Sequence, residues 1–396
     1  MATASAANLA VLGSDDIPSQ NVAEVAPCSP LQEGILLSPA SYAVYWVWNC
    51  IPPAETCINS AKLDSSWRTA ALNHPIYATI FASDNNNGGF SQVVLRNPVL
   101  DIQQITTNDG HATAAHVLMQ RPRPRWTKLN PRHTMTICTD SLTGQVACRF
   151  DICHTLYDVY SLRILLTDVV TIYHGGPVRK SAPFTDVVRY IKSRTEAETT
   201  GFWSEYLKGA KPCSFPTLLF NKTVNAPQDE HDAICVPLAP FDAATSFCSS
   251  NGITRSVFMH IAWALVLAHF NRRDDVSFGY MGSGRDAPVD GIDRICGPMA
   301  NLLISRVDLT TPLQSLLQGI AKNLKEHRKH QQTYFAPLFH KLGLGGKPLF
   351  NTMINLLRAE RQEQGRAETL AFEKELLISP HEVQSRTSLP WQNISC

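Results

Sequence analysis

His154 and Asp158 lie four residues apart in the run Cys-His-Thr-Leu-Tyr-Asp-Val-Tyr-Ser, which extends from Cys153 to Ser161. An imidazole titrates near neutral pH, so a firmly held one can take a proton from a nucleophile or orient it through a hydrogen bond. An aspartate at a helix entrance caps free N–H groups and faces the positive end of the helix dipole. Spacing alone leaves a second reading open, with His154 a hydrogen-bonded core histidine and Asp158 only a cap. Cys153 is a nucleophile by residue type, but as the neighbour of His154 it points elsewhere. None of the eleven cysteines forms a Cys-x-x-Cys pair, and no short-spaced histidines accompany them, so no metal centre is expected. Met281–Arg285 (MGSGR) has the glycines of a phosphate loop without its Lys-Ser/Thr, and reads as a strand end leading to Arg285.

These residues need elements to hold them. Gln145–Ile152 alternates, with Val146, Cys148, Phe150 and Ile152 on one face and Gln145, Arg149 and Asp151 on the other, which predicts a strand. From Leu162 the apolar positions take helical spacing through Leu165, Leu166, Val169, Val170 and Tyr173, with a stop at Gly175-Gly176. His154 and Asp158 therefore fall in a strand-to-helix turn. Ser29–Leu37 has the pattern of a helix start, and Leu63–Leu72 places Leu63, Trp67, Ala70 and Ala71 on one helical face. Ile76–Phe81 and Phe90–Leu95 read as strands, and Arg121–Trp126 (RPRPRW) as an extended connector. Further along, helices are expected at Asp186–Arg194, Phe202–Leu207, Ile253–Phe270 and Leu313–His330. Strands are expected at Val276–Tyr280, near Asn301–Val307 and within Leu344–Arg358. The alternation is that of an α/β protein with no repeat of 20–50 residues. A Gly/Pro-rich stretch at Gly175–Pro183 suggests two lobes, 1–178 and 179–396.

Composition narrows the function classes. Lys plus Arg is 35 and Asp plus Glu 34, a balance that removes the electrostatic case for a nucleic-acid binder and for an acidic disordered chain. The apolar stretch Ile261–His269 is too short for a membrane span, and residues 1–20 lack a secretory pattern. Several cysteines (Cys138, Cys148, Cys235, Cys248, Cys296) sit in apolar runs, which predicts buried reduced thiols in a soluble, cytoplasmic protein. The sequons at Asn221 and Asn393 then read as chance matches. Lys322, Lys325, Arg328 and Lys329 make one helix basic, either as a solvated face or as a seat for an acidic carrier protein or a phosphate.

The run Cys153–Ser161 resembles the HHxxxDG motif of the condensation domains of nonribosomal peptide synthetases. Other stretches resemble further motifs of that family in the family's order. These are Pro27–Leu36 (PCSPLQEGIL), His74–Phe81 (HPIYATIF), Phe202–Leu207, Ser283–Asp286 (SGRD), Gly297–Arg306 (GPMANLLISR), His330–Tyr334 (HQQTY) and Lys347–Phe350 (KPLF). The resemblance implies two chloramphenicol-acetyltransferase-like lobes arranged as a V around a central tunnel. It implies a reaction in which a thioester on a carrier protein's phosphopantetheine meets a nucleophile from the other side, with no cofactor bound by the domain itself. His154 matches the catalytic histidine, and Asp158 the aspartate that braces the motif, usually through an arginine matching Arg285. Cys153, Ser161 and Asn301 are expected along the tunnel. The implied partner is a peptidyl carrier protein, in cis or in trans, with the domain a monomer or part of a larger chain; neither nucleic acid nor membrane is expected.

This sequence departs from the pattern at Cys153, where the family has histidine, at Val159, where it has glycine, and at Ala78, where it has arginine. A β-branched residue does not tolerate the positive φ open to glycine, so the turn is expected to differ or to be strained. Fungal terminal domains, which release peptides by cyclisation, often vary at the first two positions, and Gly297–Val307 with Pro348–Thr352 also resembles that branch. The short stretch from Phe350 to Cys396 carries less pattern than the family normally has there, which suggests a shortened copy. Two alternatives accompany this reading. One is a degenerate domain that only docks carrier proteins. The other is a coenzyme A-dependent HxxxD acyltransferase, whose plant-type Asp-Phe-Gly-Trp-Gly loop is absent here.

Overall fold

The computed structural model describes residues 17–356 and 371–374, apart from 39–41, 53–55, 85–88, 109, 111, 217–241, 334, 336–337, 340–341 and 344–347. Cys235, Asn221, Asn393, Tyr334 and Lys347 thus lie outside the described residues. The chain divides into two compact units. The first takes the residues up to Lys192 together with Pro288–Met299 and Glu360–Thr387, and the second takes Ser193–Ala287 and Ala300–Ala359, with Ser388–Cys396.

The first unit is built on a five-stranded sheet. Its strands are β2 (Ala43–Ile51), β5 (Asp101–Thr107), β6 (His133–Asp140), β7 (Val146–Cys153) and β11 (Ala371–Lys374), in the order β11-β2-β7-β6-β5. Strand β7 lies in the middle, antiparallel to β2 from Ala43↔Cys153 to Cys50↔Val146 and antiparallel to β6 from His133↔Ile152 to Thr139↔Val146. Among the described residues, β5 and β6 are the pair that runs parallel in this sheet. Helices α2 (Ser60–Asn73) and α4 (Val159–Tyr173) cover one face. There Trp67 meets Phe150 edge-on at 5.0 Å amid Leu63, Tyr77, Ile152 and Leu165. A second sheet in the order β1-β4-β3 is formed by β1 (Val22–Pro27), β3 (Thr79–Asp84) and β4 (Gly89–Leu95). The chain from Ile76 enters it later than its pattern suggests. Pro75 opens a 3₁₀ turn to Ala78, and the strand starts at β-branched Thr79.

Strand β7 also departs from its expected half-polar pattern, because every one of its positions is buried. The short helix α3 (Ala114–Met119) covers the face that was expected to be polar, packing with Val47, Cys138 and Ala147. Arg149 survives there because each of its three side-chain nitrogens has a hydrogen-bond partner. It binds Asp151 bidentately at 2.9 and 2.8 Å, donates to the Leu118 and Arg121 carbonyls at 2.8 and 2.7 Å, and lies 4.1 Å over the Tyr45 ring. A buried ion pair holds only when its remaining hydrogen-bonding capacity is met in this way.

The second unit has a smaller sheet in the order β10-β8-β9, from β8 (Asp275–Gly282), β9 (Asn301–Asp308) and β10 (Met353–Ile354). Within Leu344–Arg358 the strand is thus limited, among the described residues, to two positions. Helices α8 (Arg255–Asn271) and α9 (Leu313–Lys329) pack on it through Ala264, Leu267, Leu317 and Ile320. The edge of β9 is closed by a side chain: the Tyr206 hydroxyl, from α6 (Glu196–Tyr206), accepts from the Arg306 N–H at 2.9 Å and donates to the Arg306 carbonyl at 3.2 Å. An edge strand so occupied is a poor template for another chain. Between these elements His327 lies fully buried among Trp203, Tyr206 and Tyr280, with its Nδ1 2.8 Å from the Tyr280 hydroxyl.

Burial pushes His327 down to about 3, and it also lowers His260 beside it. A histidine whose folded pKa lies below its unfolded value near 6.5 stabilises the fold while neutral. That contribution is complete above about pH 6.5 and is lost as pH falls towards the folded value. Urea midpoints are expected to drop steadily from pH 7 to pH 4, and less steeply in a His327→Gln variant. Parallel slopes for the two proteins would rule out His327 as a source of the acid sensitivity.

Candidate active site

The turn after β7 is held mainly by backbone. The Cys153 N–H donates to the Arg132 carbonyl at 3.0 Å, the His154 N–H to the Tyr42 carbonyl at 2.9 Å, and the Leu156 N–H to the Cys153 carbonyl at 3.0 Å. The fourth tie comes from α1 (Pro30–Leu37), which starts with a capping box of Ser29 and Gln32. The same Gln32 side chain, fully buried, turns its Nε2 onto the Thr155 carbonyl at 3.0 Å. The Ser-Pro-Leu-Gln stretch therefore braces the turn that carries His154.

Asp158 is the N-cap of α4. One carboxylate oxygen accepts from the Ser161 N–H at 2.7 Å and lies 2.6 Å from the Ser161 hydroxyl, and the other accepts from the Met299 N–H at 3.2 Å. The hydroxyl is also 3.0 Å from the Gly297 carbonyl, but it has one hydrogen, which the charged acceptor takes. It accepts in turn from the Gly297 N–H at 2.9 Å. Gly297 has φ +153°, and a Cβ there would stand 2.2 Å from Phe184 Cδ2, so only glycine fits. Two turns along α4, on the face that carries Ser161, Asp168 binds Arg294 Nη2 through both oxygens at 3.1 and 2.9 Å. The buried His74 Nε2 lies 2.8 Å from the same carboxylate. Residues 288–299 are thereby fastened to one stripe of α4.

His154 itself is partly buried, with its imidazole stacked on the Tyr157 ring at 4.7 Å and 21°. Burial lowers its pKa, against the opposing pull of a hydrogen bond to the Tyr157 backbone and of the Asp158 charge. The imidazole is therefore neutral at pH 7, the form that accepts a proton.

The remaining expected residues are placed as follows. Cys153 is buried at the end of β7 beside Ile35 and Tyr42. Ser161 is fully buried, with its hydroxyl engaged as described. Asn301 opens β9, donates from Nδ2 to the Gln331 and Thr333 carbonyls at 2.7 and 3.2 Å, and accepts from the Leu302 N–H at 2.9 Å. Arg285 follows β8 in the second unit. The preceding Gly284, at φ +71°, donates to Gln331 Oε1 at 3.1 Å and accepts from Gln332 Nε2 at 3.1 Å. The His-Gln-Gln-Thr stretch thus braces both Asn301 and the loop before Arg285.

Val159 is not strained. It is the first residue of α4, 46% exposed, and the non-glycine residue at positive φ among the described residues is Arg272. The helix begins at the valine, which is not among the residues at positive φ. Ala78 packs in the core at the end of its 3₁₀ turn. The basic side chains of α9 are exposed, with Lys329 paired to Glu326 at 2.9 Å. The described cysteines carry free thiols, all buried except Cys57. Among the described residues no group of three or more metal-ligating side chains is assembled, and no single helix is long and apolar enough to cross a membrane.

Residues 22–388 match the sequence profile of the family described as Condensation domain. The nonribosomal peptide synthetase atnA of Emericella nidulans is 32% identical over 372 residues, which cover 89% of this chain and 5% of that synthetase. The D-lysergyl-peptide-synthetase subunit 1 of Epichloe festucae var. lolii is 29% identical over 356 residues, 87% of this chain and 9% of its own length. This chain therefore spans a small fraction of the curated relatives it matches. Among solved structures, the starter condensation domain of rhizomide synthetase RzmA superposes with a TM-score of 0.68 at 16% identity, covering 94% of this chain and 85% of that one. The condensation domain of the monacolin K polyketide synthase MokA gives 0.62 at 17%, covering 87% and 80%. Both share the fold.

Gly297 offers a test of the network. Gly297→Ala is expected to lower stability by about 1–3 kcal/mol through overpacking against Phe184 and to loosen the cap at Asp158. Urea unfolding measures the first effect. Amide hydrogen exchange of Ser161 measures the second, and unchanged exchange there would separate Gly297 from the motif.

Proposed function

This chain belongs to the condensation-domain family, and we propose that it catalyses acyl transfer from a carrier-bound peptidyl thioester to a nucleophile, with His154 as the group that orients or deprotonates that nucleophile. The observation that carries this reading is the neutral imidazole on a turn fixed by its own backbone, by Gln32 and by the Asp158 cap. In the reaction a bond forms from the nucleophile to the thioester carbonyl carbon, the carbon–sulfur bond breaks, and the proton of the nucleophile leaves through His154 to the departing thiolate.

The demands on His154 are modest if the nucleophile is an amine. An α-amino group titrates at about 7.7–8.0, so roughly a tenth is already neutral at pH 7. Holding amine and thioester in attack geometry supplies about 7–11 kcal/mol. General-base assistance then adds about 10²–10⁴-fold. The phosphopantetheine belongs to the carrier, which is supplied by the parent chain or in trans. The roles of Arg285 as an orienting residue and of Asn301, Cys153 and Ser161 near the substrate belong to this reading as well. Release by cyclisation is supported by Cys153 and Val159, the two departures shared with fungal terminal domains.

Intact-mass spectrometry of a peptidyl-loaded carrier protein incubated with this chain tests the proposal against a His154→Ala control. Loss of the peptidyl mass is expected, about 10²–10⁴-fold slower in the variant, and a cyclised peptide in solution identifies the releasing form. No loss above the control from folded protein overturns catalysis and leaves carrier docking as the function. Turnover of acyl-coenzyme A but not of carrier thioesters identifies the small-molecule acyltransferase instead.

A further inference from the structure

We propose that Tyr157 is the positioning residue of this site, fixing the plane of the His154 imidazole. The proposal rests on the reading that His154 acts on the nucleophile, and it concerns a residue that the HxxxD pattern leaves unspecified.

The imidazole leaves β7 at a turn, where its terminal torsion is broad and only roughly two-fold in preference. Backbone bonds fix where His154 starts, but not how its ring is turned. The Tyr157 ring does that by lying face to face with it, at 4.7 Å between centroids and 21° between planes. The phenol is itself immobile, since Tyr157 is 1% exposed and its hydroxyl accepts from the Trp46 Nε1–H at 3.4 Å. Trp46 in turn stacks on Trp48, with the two rings 5° from parallel. Burial keeps the phenol neutral far above its ordinary range. A line of contacts therefore runs from the sheet through Trp46 and Tyr157 to the imidazole.

The Tyr157 backbone pulls the His154 titration upward, against the larger effect of burial. The titratable groups around the pair are Asp158 at the start of α4 and the Cys153 thiol at the end of β7. Both lie beside the turn, and neither covers the face of the ring that Tyr157 occupies. A tyrosine that merely filled the core would leave the titration of His154 unchanged when replaced by an apolar side chain of similar size.

The test uses the full chain with three variants. Tyr157→Phe keeps the face and loses the hydroxyl, whereas Tyr157→Leu and Tyr157→Met fill space without an aromatic face. The His154 ring is followed by NMR for its titration midpoint, with its signals assigned by their loss in His154→Gln. Turnover of the peptidyl-carrier thioester is measured in parallel. Tyr157→Phe is expected to keep a midpoint below 6.5 and turnover within about 3-fold, since the geometry that positioning depends on is kept. The two non-aromatic variants are expected to titrate closer to 6.5. Their kcat should fall by about 10–100-fold, with the KM for the carrier unchanged.

A folded Leu or Met variant with the wild-type midpoint overturns the proposal, whatever its activity. A rise in KM together with a fall in kcat and no spectral change also overturns it, because that pattern belongs to a core defect. If the spectra shift as expected while His154→Ala turns over like the wild type, Tyr157 still positions the ring. It is then the catalytic reading of His154 that fails. Should neither non-aromatic variant fold, Tyr157→Phe decides. A changed His154 midpoint there overturns the stacking account, and an unchanged one supports it.

Discussion

The Asp158 carboxylate at the N-terminus of α4 is the constraint on which the rest of the first unit's site depends. It meets three demands with two oxygens. It caps a helix whose first N–H groups have no partner in the helix, it takes the hydrogen of the buried Ser161 hydroxyl, and it receives the Met299 N–H. Because Ser161 is then oriented to accept from Gly297, the cap is joined to the chain at 297–299 as well as to its own helix. A neutral side chain at 158 would leave several buried donors short at once. Losses of that kind are larger than the net worth of one hydrogen bond.

The same logic explains why His154 needs no carboxylate partner in direct contact. In a dyad, an aspartate turns a histidine and raises its basicity. Here Asp158 is engaged elsewhere, while burial keeps the imidazole neutral and an aromatic face turns it. A weakly basic and well-oriented imidazole suits a reaction whose nucleophile is partly neutral at the working pH. It suits a weakly acidic nucleophile such as an alcohol less well, and there the proton transfer would carry more of the barrier.

Much of this arrangement was legible in the sequence. The strand-to-helix turn, the capping role of Asp158 and the helix through Tyr173 followed from periodicity and from the glycine stop, and Gly175 does take a positive φ there. The capping signal at Ser29 was also plain, but nothing in local spacing said that Gln32 would reach across to Thr155. The burial of Arg149 was hidden because alternation reports one face of a strand at a time, and the cover on the other face comes from a separate helix. Strand β2 was a missed signal of a different kind, since its run of aromatic and β-branched residues (Ala-Val-Tyr-Trp-Val-Trp) is strongly strand-forming. The pairing of Asp168 with Arg294 and His74 joins positions far apart in the chain, and a single sequence carries no sign of it.

That long-range pairing has a consequence for how the first unit is completed. The chain leaves β8 in the second unit, contributes Pro288–Met299 to the first, and returns to β9 in the second. Ile295, Cys296 and Met299 are members of the first unit's main core, beside Leu162, Leu165 and Phe184. Residues up to Lys192 thus lack part of their own core until a segment about a hundred residues later is in place. Contacts so distant in sequence cost loop-closure entropy before they return any stability. The polar ties at Gly297, Met299 and Arg294 offset that cost where the segment lands, and they land on α4, the helix whose first turn carries the motif. The turn that bears His154 is therefore fully braced only once this distant segment is in place, although every residue of the motif is local.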